Sequence, residues 1–536
     1  MKTAASCVRL QKVVWTWDMH VCDVTSAEEY VRSYTLMLDF LAQHGYDALI
    51  IWGFLRDGHG GVAAARAIAA HGKAVGVRVL PGIGLYSYGG VYYEGDSPYN
   101  YARRLVAAPQ AKGIGMPGCE TLCPSREENA QWYREGLSWL YRTIPEIGGV
   151  HFETGDSPTN MCWCPQCREA TKGEVNRGRD YSGSMLDMLR IVPPLCEHIC
   201  AIDPGTWPTY ATYNCFWSKP SGVPGNCESV LEADRLELLR KMPKWITTSW
   251  CKGLWQEFAP PPGAECPGTD NNWVEVWFNP SLDIGERQSS YFMQWAFPCF
   301  NPRVEGVYRL AARTRETRCH GISLATGYLP TMPDNEITLM AAARFADDPG
   351  AEPAGFLNEV LPSLYGSDAV PEVRDLLLFQ ERELSQMLRA CFLCTVLPFC
   401  HRAILGGYGW FPGIDAGRTR EIPALMDRQI ERARSALRYA SVSGKDRLAK
   451  ILRMLEHYRI IAGWISHEPG LPFLKSMIGL QTRNPADLTD EEAREHLRLY
   501  HAAEESWRGL SLPPQFTRVR EKETYDARFQ RARGKA

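Results

Sequence analysis

Val13-Val14-Trp15-Thr16-Trp17, a stretch that begins at Ser26-Ala27-Glu28-Glu29 and ends at Gly45, and then Ala48-Leu49-Ile50-Ile51-Trp52-Gly53 follow one another near the start of the chain. The outer two are short, apolar and rich in β-branched and aromatic residues, which suits strands covered on both faces. Between them Tyr30, Tyr34, Met37, Leu38 and Leu41 recur at helical spacing, and Gly45 stands where a left-handed C-terminal residue is wanted. Ser26 with Glu29 three residues on reads as a capping box, and Ser125-Arg126-Glu127-Glu128 reads as a second. The stretch is a βα unit, and a series of such units makes a parallel sheet.

Working outward, strand-like runs occur at residues 13–17, 48–53, 77–83, 149–153, 209–216, 245–250, 274–278 and 321–325, most of them followed by an amphipathic stretch. Eight is the number that closes a (β/α)8 barrel. Residues 218–232 and 256–272 are rich in Pro and Gly and read as long loops, which on a barrel usually serve the active face. From about Glu336 the pattern becomes helix after helix: Met426, Ile430, Ala433, Leu437 and Ala440 form one stripe, and Leu448, Ile451, Leu455, Tyr458 and Ala462 another. The expected architecture is an α/β chain with a (β/α)8 TIM barrel over residues 8–345 and an all-α C-terminal domain over 346–536. Fourteen of the 17 tryptophans precede residue 300, so the aromatic material belongs to the barrel.

Composition narrows the function. The 536 residues are 45% hydrophobic and 23% charged, as in a water-soluble globular protein, which excludes collagen-like and wholly disordered chains. With 59 basic and 62 acidic residues the net charge is -3, which offers no footprint for nucleic acid and no polybasic segment for a membrane. Arg9 and Lys12 interrupt any apolar core of an export signal, and 18 cysteines in a chain this long read as thiols or metal ligands. A cytoplasmic enzyme acting on a small or neutral molecule is the expectation. The C-terminal helices leave open whether they pack on the barrel or build a homo-oligomer.

The most specific chemical signal is Cys162-Trp163-Cys164-Pro165-Gln166-Cys167, with Cys123 in Leu122-Cys123-Pro124-Ser125 39 residues before it. Three thiolates at that spacing converge on one point, and a fourth from the neighbouring loop closes the tetrahedron that structural zinc prefers. Cys119 is a spare candidate. Four sulfurs leave no open position, so such a zinc pins loops and activates no water. Upstream, His151-Phe152-Glu153-Thr154-Gly155-Asp156 places Glu153 at the C-terminal end of the fourth strand, where barrel enzymes keep catalytic groups. Glu153 is the candidate general acid, and Asp156 a second carboxylate beside it. Glu275, in Trp273-Val274-Glu275-Val276-Trp277, is the acid within the seventh strand and the candidate nucleophile or base, against a buried salt bridge. Asp57-Gly58-His59-Gly60-Gly61 lacks the lysine and spacing of a phosphate loop. Cys391, Cys394 and Cys400 with His401 read as core thiols.

Two local stretches resemble known families. Glu153 followed by the Cys162, Cys164 and Cys167 trio, with Cys123 before Pro124, is similar to the family 42 β-galactosidases, in which an acid/base glutamate ends strand four and a four-cysteine zinc site follows. The chain departs from that family at Phe152, where the family carries Asn. Asn335-Glu336, the run Ala341 to Pro349, Phe356-Leu357-Asn358-Glu359 and Leu364-Tyr365-Gly366 resemble the junction in α-glucuronidase and β-hexosaminidase-like barrels with helical C-terminal extensions. The two resemblances cover about a quarter of the chain. They imply a glycosidase that acts by carboxylate acid/base catalysis on the non-reducing end of an oligosaccharide or glycoside, of β-galactoside, N-acetylhexosaminide or uronide type.

Aromatic residues near strand ends fit that class, because sugar rings present apolar faces to indoles while their hydroxyls need a few fixed polar groups. Trp17, Trp52, Tyr86, Tyr213, Trp250 and Trp277 are the candidate platforms, and Asp18 and Arg56 the candidate hydroxyl ligands. Core packing accounts for any single tryptophan as well. The competing reading is a catalytically inactive barrel that serves as a carbohydrate-binding protein, lined by the same tryptophans.

Overall fold

The computed structural model describes residues 9–17, 26–86, 89–114, 120–153, 162, 164–170, 185–211, 240–251, 269–277, 300–325, 332–384, 418–467, 470–481, 483, 485–511 and 524–535. Eight parallel strands close on themselves: β1 (Gln11–Trp17), β2 (Ala48–Trp52), β3 (Arg78–Gly84), β4 (Gly149–Glu153), β5 (Trp207–Ala211), β6 (Thr247–Cys251), β7 (Asn272–Trp277) and β8 (Gly321–Ala325). Each pairs with its neighbours in chain order, and β8 returns to β1. All eight expected strands are present, with ends shifted by one or two residues and the far part of the 209–216 run outside the described residues.

Strand residues alternate between the lumen and the surrounding helices. Val13, Trp15, Ala48, Ile50, Trp52, Leu80 and Trp273 form one apolar cluster inside the barrel. Val14, Leu49, Ile51, Val79, Val150, Phe152, Tyr210, Val274, Ile322 and Leu324 point the other way, into the large cluster shared with the helices. On β4 the lumen positions are therefore Gly149, His151 and Glu153. On β7 they are Trp273, Glu275 and Trp277.

Following the register round from Trp17 through Trp52, Gly82, His151, Thr209 and Thr247 returns to β1 at Arg9, a stagger of eight residues. That stagger makes lumen residues of alternate strands level with one another. One level below the strand-end positions Trp17, Gly84 and Trp277, backbone position groups Trp52, Glu153, Cys251 and Ala325. Below it lie Trp15, Gly82, Ala211 and Glu275, then Ile50, His151, Ser249 and Ser323, then Val13, Leu80, Thr209 and Trp273. Gly82 is required where it stands, since a Cβ there would lie 2.5 Å from the Trp52 ring.

Around the barrel run α1 (Ala27–Gln43), α2 (Gly61–Val75), α3 (Tyr101–Ala107), α4 (Glu127–Thr143), α5 (Pro165–Ala170), α6 (Met185–Ile202), α7 (Val304–Glu316) and α8 (Pro333–Asp347). Ser26 caps α1 by accepting from Glu29 N, and Gly45 takes the left-handed conformation that ends it. Ser125 does not cap α4, contrary to the sequence reading. The cap position is Arg126, with no side-chain bond, because Ser125 turns toward the Cys167 sulfur and accepts from Arg190.

The C-terminal region is helical as expected, with α9 (Pro353–Tyr365), α10 (Val370–Phe379), α11 (Ile422–Tyr439), α12 (Val442–Ser466), α13 (Gly470–Gln481), α14 (Asp490–Arg508) and α15 (Tyr525–Ala532). Met426, Ile430 and Ala433 of α11 and Leu448, Ile451, Leu455, Tyr458 and Ala462 of α12 are buried, so the stripes read from spacing are the packed faces. One apolar cluster runs from the barrel's helix layer through Phe345 and Leu357 into these helices. Arg447 on α12 grips the Glu336 carboxylate of α8 with two bonds of 2.7 and 2.6 Å. No described helix is long and apolar enough to cross a membrane.

Candidate functional site

Of the described candidates, Trp52, Tyr86 and Glu153 stand at or just beyond the C-terminal ends of their strands. Glu153, the last residue of β4, is 5% exposed, and its backbone carbonyl accepts from Leu85 N at 2.8 Å. Glu275 is 1% exposed, one level deeper on β7, and its Oε2 accepts a 2.6 Å hydrogen bond from Ser249. Both carboxylates face the lumen by strand alternation, on strands far apart in the ring. Phe152 faces the helices and is fully buried there, so the residue before Glu153 has no access to a ligand in the lumen.

The other candidates are placed as follows. Trp52 is fully buried in the lumen, 6.3 Å from Trp15 and 5.9 Å from the His151 ring. Trp17 pairs in register with Trp52, Trp250 with Val274, and Trp277 with Ala325. Arg56 is paired with Glu94 and lies 4.2 Å from the Tyr93 ring. Tyr86 follows β3 with a φ of 66°, a strained value for a tyrosine and one that clusters at functional sites. It is held there because its carbonyl accepts from Leu122 N at 2.8 Å and Thr121 Oγ1 at 2.8 Å, while its N–H donates to Tyr133 Oη at 2.7 Å. Asp18, Asp156, Tyr213 and Cys119 lie outside the described residues, as do Cys391, Cys394, Cys400 and His401. The glycine-rich loop at Asp57 is filled by the chain itself, since the Asp57 carboxylate accepts from Tyr92 Oη and Asp96 N.

Beneath the two glutamates lie polar residues that the motif reading passed over. His151 is fully buried, and its Nδ1 sits 2.7 Å from Thr209 Oγ1. Desolvation holds this imidazole down at about 3. Thr209, Ser249 and Ser323 complete that side of the lumen. The signal was present in the period of two, which puts His151 on the same face as Glu153.

Cys123, Cys162, Cys164 and Cys167 converge, with all four sulfurs within 4.8 Å of one another and no disulfide among them. Cys123 is 3.6 Å from both Cys164 and Cys167. A zinc tetrahedron with arms of about 2.3 Å has edges of about 3.8 Å, so the donor set and its spacing fit the metal. Cys167 N lies 3.4 Å from the Cys164 sulfur, and Ser125 Oγ lies 3.0 Å from the Cys167 sulfur, the outer contacts that orient thiolates. Gly113 leaves room for the cluster, because a Cβ there would stand 2.7 Å from the Cys162 sulfur. Shared hydrogen bonds push the Cys123 thiol up and hold Cys167 well below the thiol range. The cluster joins the segment after β3 to the segment after β4 and could hold a metal ion beside the mouth.

No family model and no curated protein matches the chain. Among solved structures it is similar to glycoside hydrolases on eight-stranded parallel barrels. A variant of an O-GlcNAc hydrolase from Thermobaculum terrenum is 11% identical, with 98% of this chain and 95% of that one covered and a TM-score of 0.46. A family 115 4-O-methyl-α-glucuronidase with specificity for decorated arabinogalactans is 8% identical, with 96% and 62% covered and a TM-score of 0.49. A chitobiase from Flavobacterium johnsoniae is 13% identical, with 98% and 78% covered and a TM-score of 0.39. At these identities the likeness concerns the fold, which the strand register establishes on its own.

Proposed function

We propose that the chain is a glycoside hydrolase whose catalytic unit is the barrel, acting on the non-reducing end of an oligosaccharide or glycoside. The observation that carries this reading is the pair of buried lumen carboxylates, Glu153 on β4 and Glu275 on β7, at adjacent levels of the C-terminal half. A carboxylic acid that protonates the leaving oxygen and a carboxylate that attacks the anomeric carbon or activates water are what glycosidic hydrolysis requires. Glu153, nearer the mouth, is the acid. Glu275, with Ser249 donating to it, is the carboxylate partner. The aromatic positions Trp17, Trp52, Tyr213 and Trp277 would supply platforms for sugar faces, and Asp18, Asp156 and Arg56 would bind hydroxyl or acetamido groups; Trp250, in register with the helix-facing Val274, holds a strand position on the side away from the lumen and is set aside. The four cysteines would hold a structural zinc that fixes the loops after β3 and β4 and takes no part in the reaction.

A broad panel of nitrophenyl α- and β-glycosides, including galactosides, glucosides, N-acetylhexosaminides and glucuronides, tests the proposal. Wild type should hydrolyse at least one. Glu153→Gln should reduce kcat by about 10²- to 10⁴-fold, the usual contribution of general acid catalysis, and least for substrates whose leaving group needs no proton. Turnover of the corresponding alkyl glycosides, whose leaving oxygen does need a proton, left untouched by Glu153→Gln would remove that residue from the mechanism. Binding of sugars without turnover of any glycoside would replace the enzyme by a carbohydrate-binding barrel.

A further inference from the structure

The lumen is divided lengthwise. Its β1–β3 side is apolar, built from Val13, Trp15, Ile50, Trp52 and Leu80, and Trp273 of β7 packs with them at the lowest of the levels given above. The opposite side carries His151, Thr209, Ser249, Glu275 and Ser323, none more than 1% exposed. Barrel levels are usually filled by bulky branched residues, and Ala211, Ser249 and Ser323 leave more space than that. Polar groups sealed from solvent are almost always hydrogen bonded, so each atom on this side has to be accounted for.

Thr209 donates its hydroxyl proton to Val150 O at 3.1 Å, and it therefore accepts from His151 Nδ1–H at 2.7 Å. This makes His151 the Nδ1–H tautomer, with a lone pair on Nε2. Nε2 has no hydrogen-bond partner among the described residues, and neither does Ser323 Oγ. The two lie on one level, directly beneath Glu275. Because burial holds the imidazole at about 3, it stays neutral near pH 7 and offers only an acceptor. One acceptor, one hydroxyl and a carboxylate already bonded on one oxygen by Ser249 are the partners a buried water needs, which typically makes about three hydrogen bonds.

We propose that the polar half of the lumen binds one water molecule that donates to His151 Nε2 and to Glu275 and accepts from Ser323 Oγ, so that His151 and Ser323 act as positioning residues that keep Glu275 ionised. This assignment rests on the proposed glycosidase reading for the role of Glu275, not for the water itself. The Ser323 hydroxyl and both hydrogens of the water then each meet an acceptor, and the water and Ser249 both donate to the carboxylate, which favours its charged form. Among the described residues, the other titratable or charged ones at lumen positions are Glu153 one level above and Arg78 at the far end beside Trp207. A carboxylate so held is suited to attack or to act as base, and Glu153 is left as the acid.

Two measurements on the full chain test this without depending on turnover. A high-resolution crystal structure of the wild type should show a water within hydrogen-bond distance of both His151 Nε2 and Ser323 Oγ. Carbon-13 NMR of labelled glutamate should show the Glu275 carboxyl titrating about one pH unit higher in Ser323→Ala and in His151→Leu, a roughly tenfold gain in proton affinity for the loss of one charge-assisted bond. Ser323→Ala removes only a hydroxyl and keeps the test valid if His151→Leu does not fold. Dry density at that point, or a Glu275 titration unmoved in a folded variant, overturns the proposal. A protein that cleaves no glycoside but shows both the water and the shift would refute the enzymatic reading alone.

Discussion

Cys167→Ala, or exposure to a strong chelator, should cost the protein its metal and part of its stability, and the size of the loss can be worked out. The sulfur separations of 3.6 Å from Cys123 to Cys164 and to Cys167 fall close to the edge of about 3.8 Å expected for zinc with four thiolates. Purified protein should therefore carry about one zinc per chain, and X-ray absorption should report four sulfur neighbours at about 2.3 Å and no nitrogen or oxygen neighbour. A metal present at a thousand times its dissociation constant stabilises the folded state by about 4 kcal/mol. For a chain of this size roughly 1 °C of melting temperature corresponds to each kcal/mol, so the midpoint should fall by about 4 °C. The cluster joins the segment after β3 to that after β4, and through Ser125 it reaches Arg190 on α6. Loosening should therefore concentrate at that side of the mouth, as faster amide exchange in residues 120–126 and 164–170. Protein isolated with no metal that melts at the same temperature with and without chelator would refute the reasoning, as would a spectrum with mixed ligands.

Other consequences follow from the way the strands face. Phe152→Asn, which inserts the family 42 residue, should lower stability by about 3–5 kcal/mol in urea titrations and leave sugar affinity unimproved, because the side chain is buried among the helices; unchanged stability would mean that β4 is turned the other way. Gly82→Ala should destabilise by about 1–3 kcal/mol and alter the near-ultraviolet dichroism of tryptophan, since the added methyl meets the fully buried Trp52 ring at 2.5 Å. Stability should also depend on pH through His151 and His496, held by burial at about 3 and about 4 against 6.5 when unfolded. Both are neutral in the folded protein, so their contribution is complete above pH 6.5 and declines as the pH falls, at about 1.4 kcal/mol per unit per histidine. His496→Gln should make the measured slope between pH 6 and pH 4 shallower; an unaltered slope would show that His496 is not buried as a neutral ring.

Much of this was legible in order along the chain. Eight apolar runs separated by helical stretches have few ways to satisfy their backbones and cover both faces, and a closed parallel barrel is one of them. The spacing of Cys162, Cys164 and Cys167 predicted their convergence because thiolates a few residues apart share a neighbourhood whatever the fold, and Cys123 meets them because loops after adjacent strands are neighbours. Glu153 stood out because it ends a strand, and the stripes of α11 and α12 because 3.6-residue periodicity is a local property. The cap at Ser125 was misread for a nonlocal reason: its hydroxyl has partners in Cys167 and Arg190 that no local pattern reveals.

What the sequence alone determined, then, is the succession of elements, their apolar faces and the convergence of Cys162, Cys164 and Cys167, all consequences of periodicity and short separations. Only the closed barrel decided which residues share a level. The stagger of eight places Glu275 one step below Glu153, sets His151 and Ser323 opposite each other beneath it, and turns Phe152 away from the lumen. Such neighbours come from strands scores or hundreds of residues apart. Their meeting depends on register summed round the whole ring, a quantity that no single stretch of sequence contains.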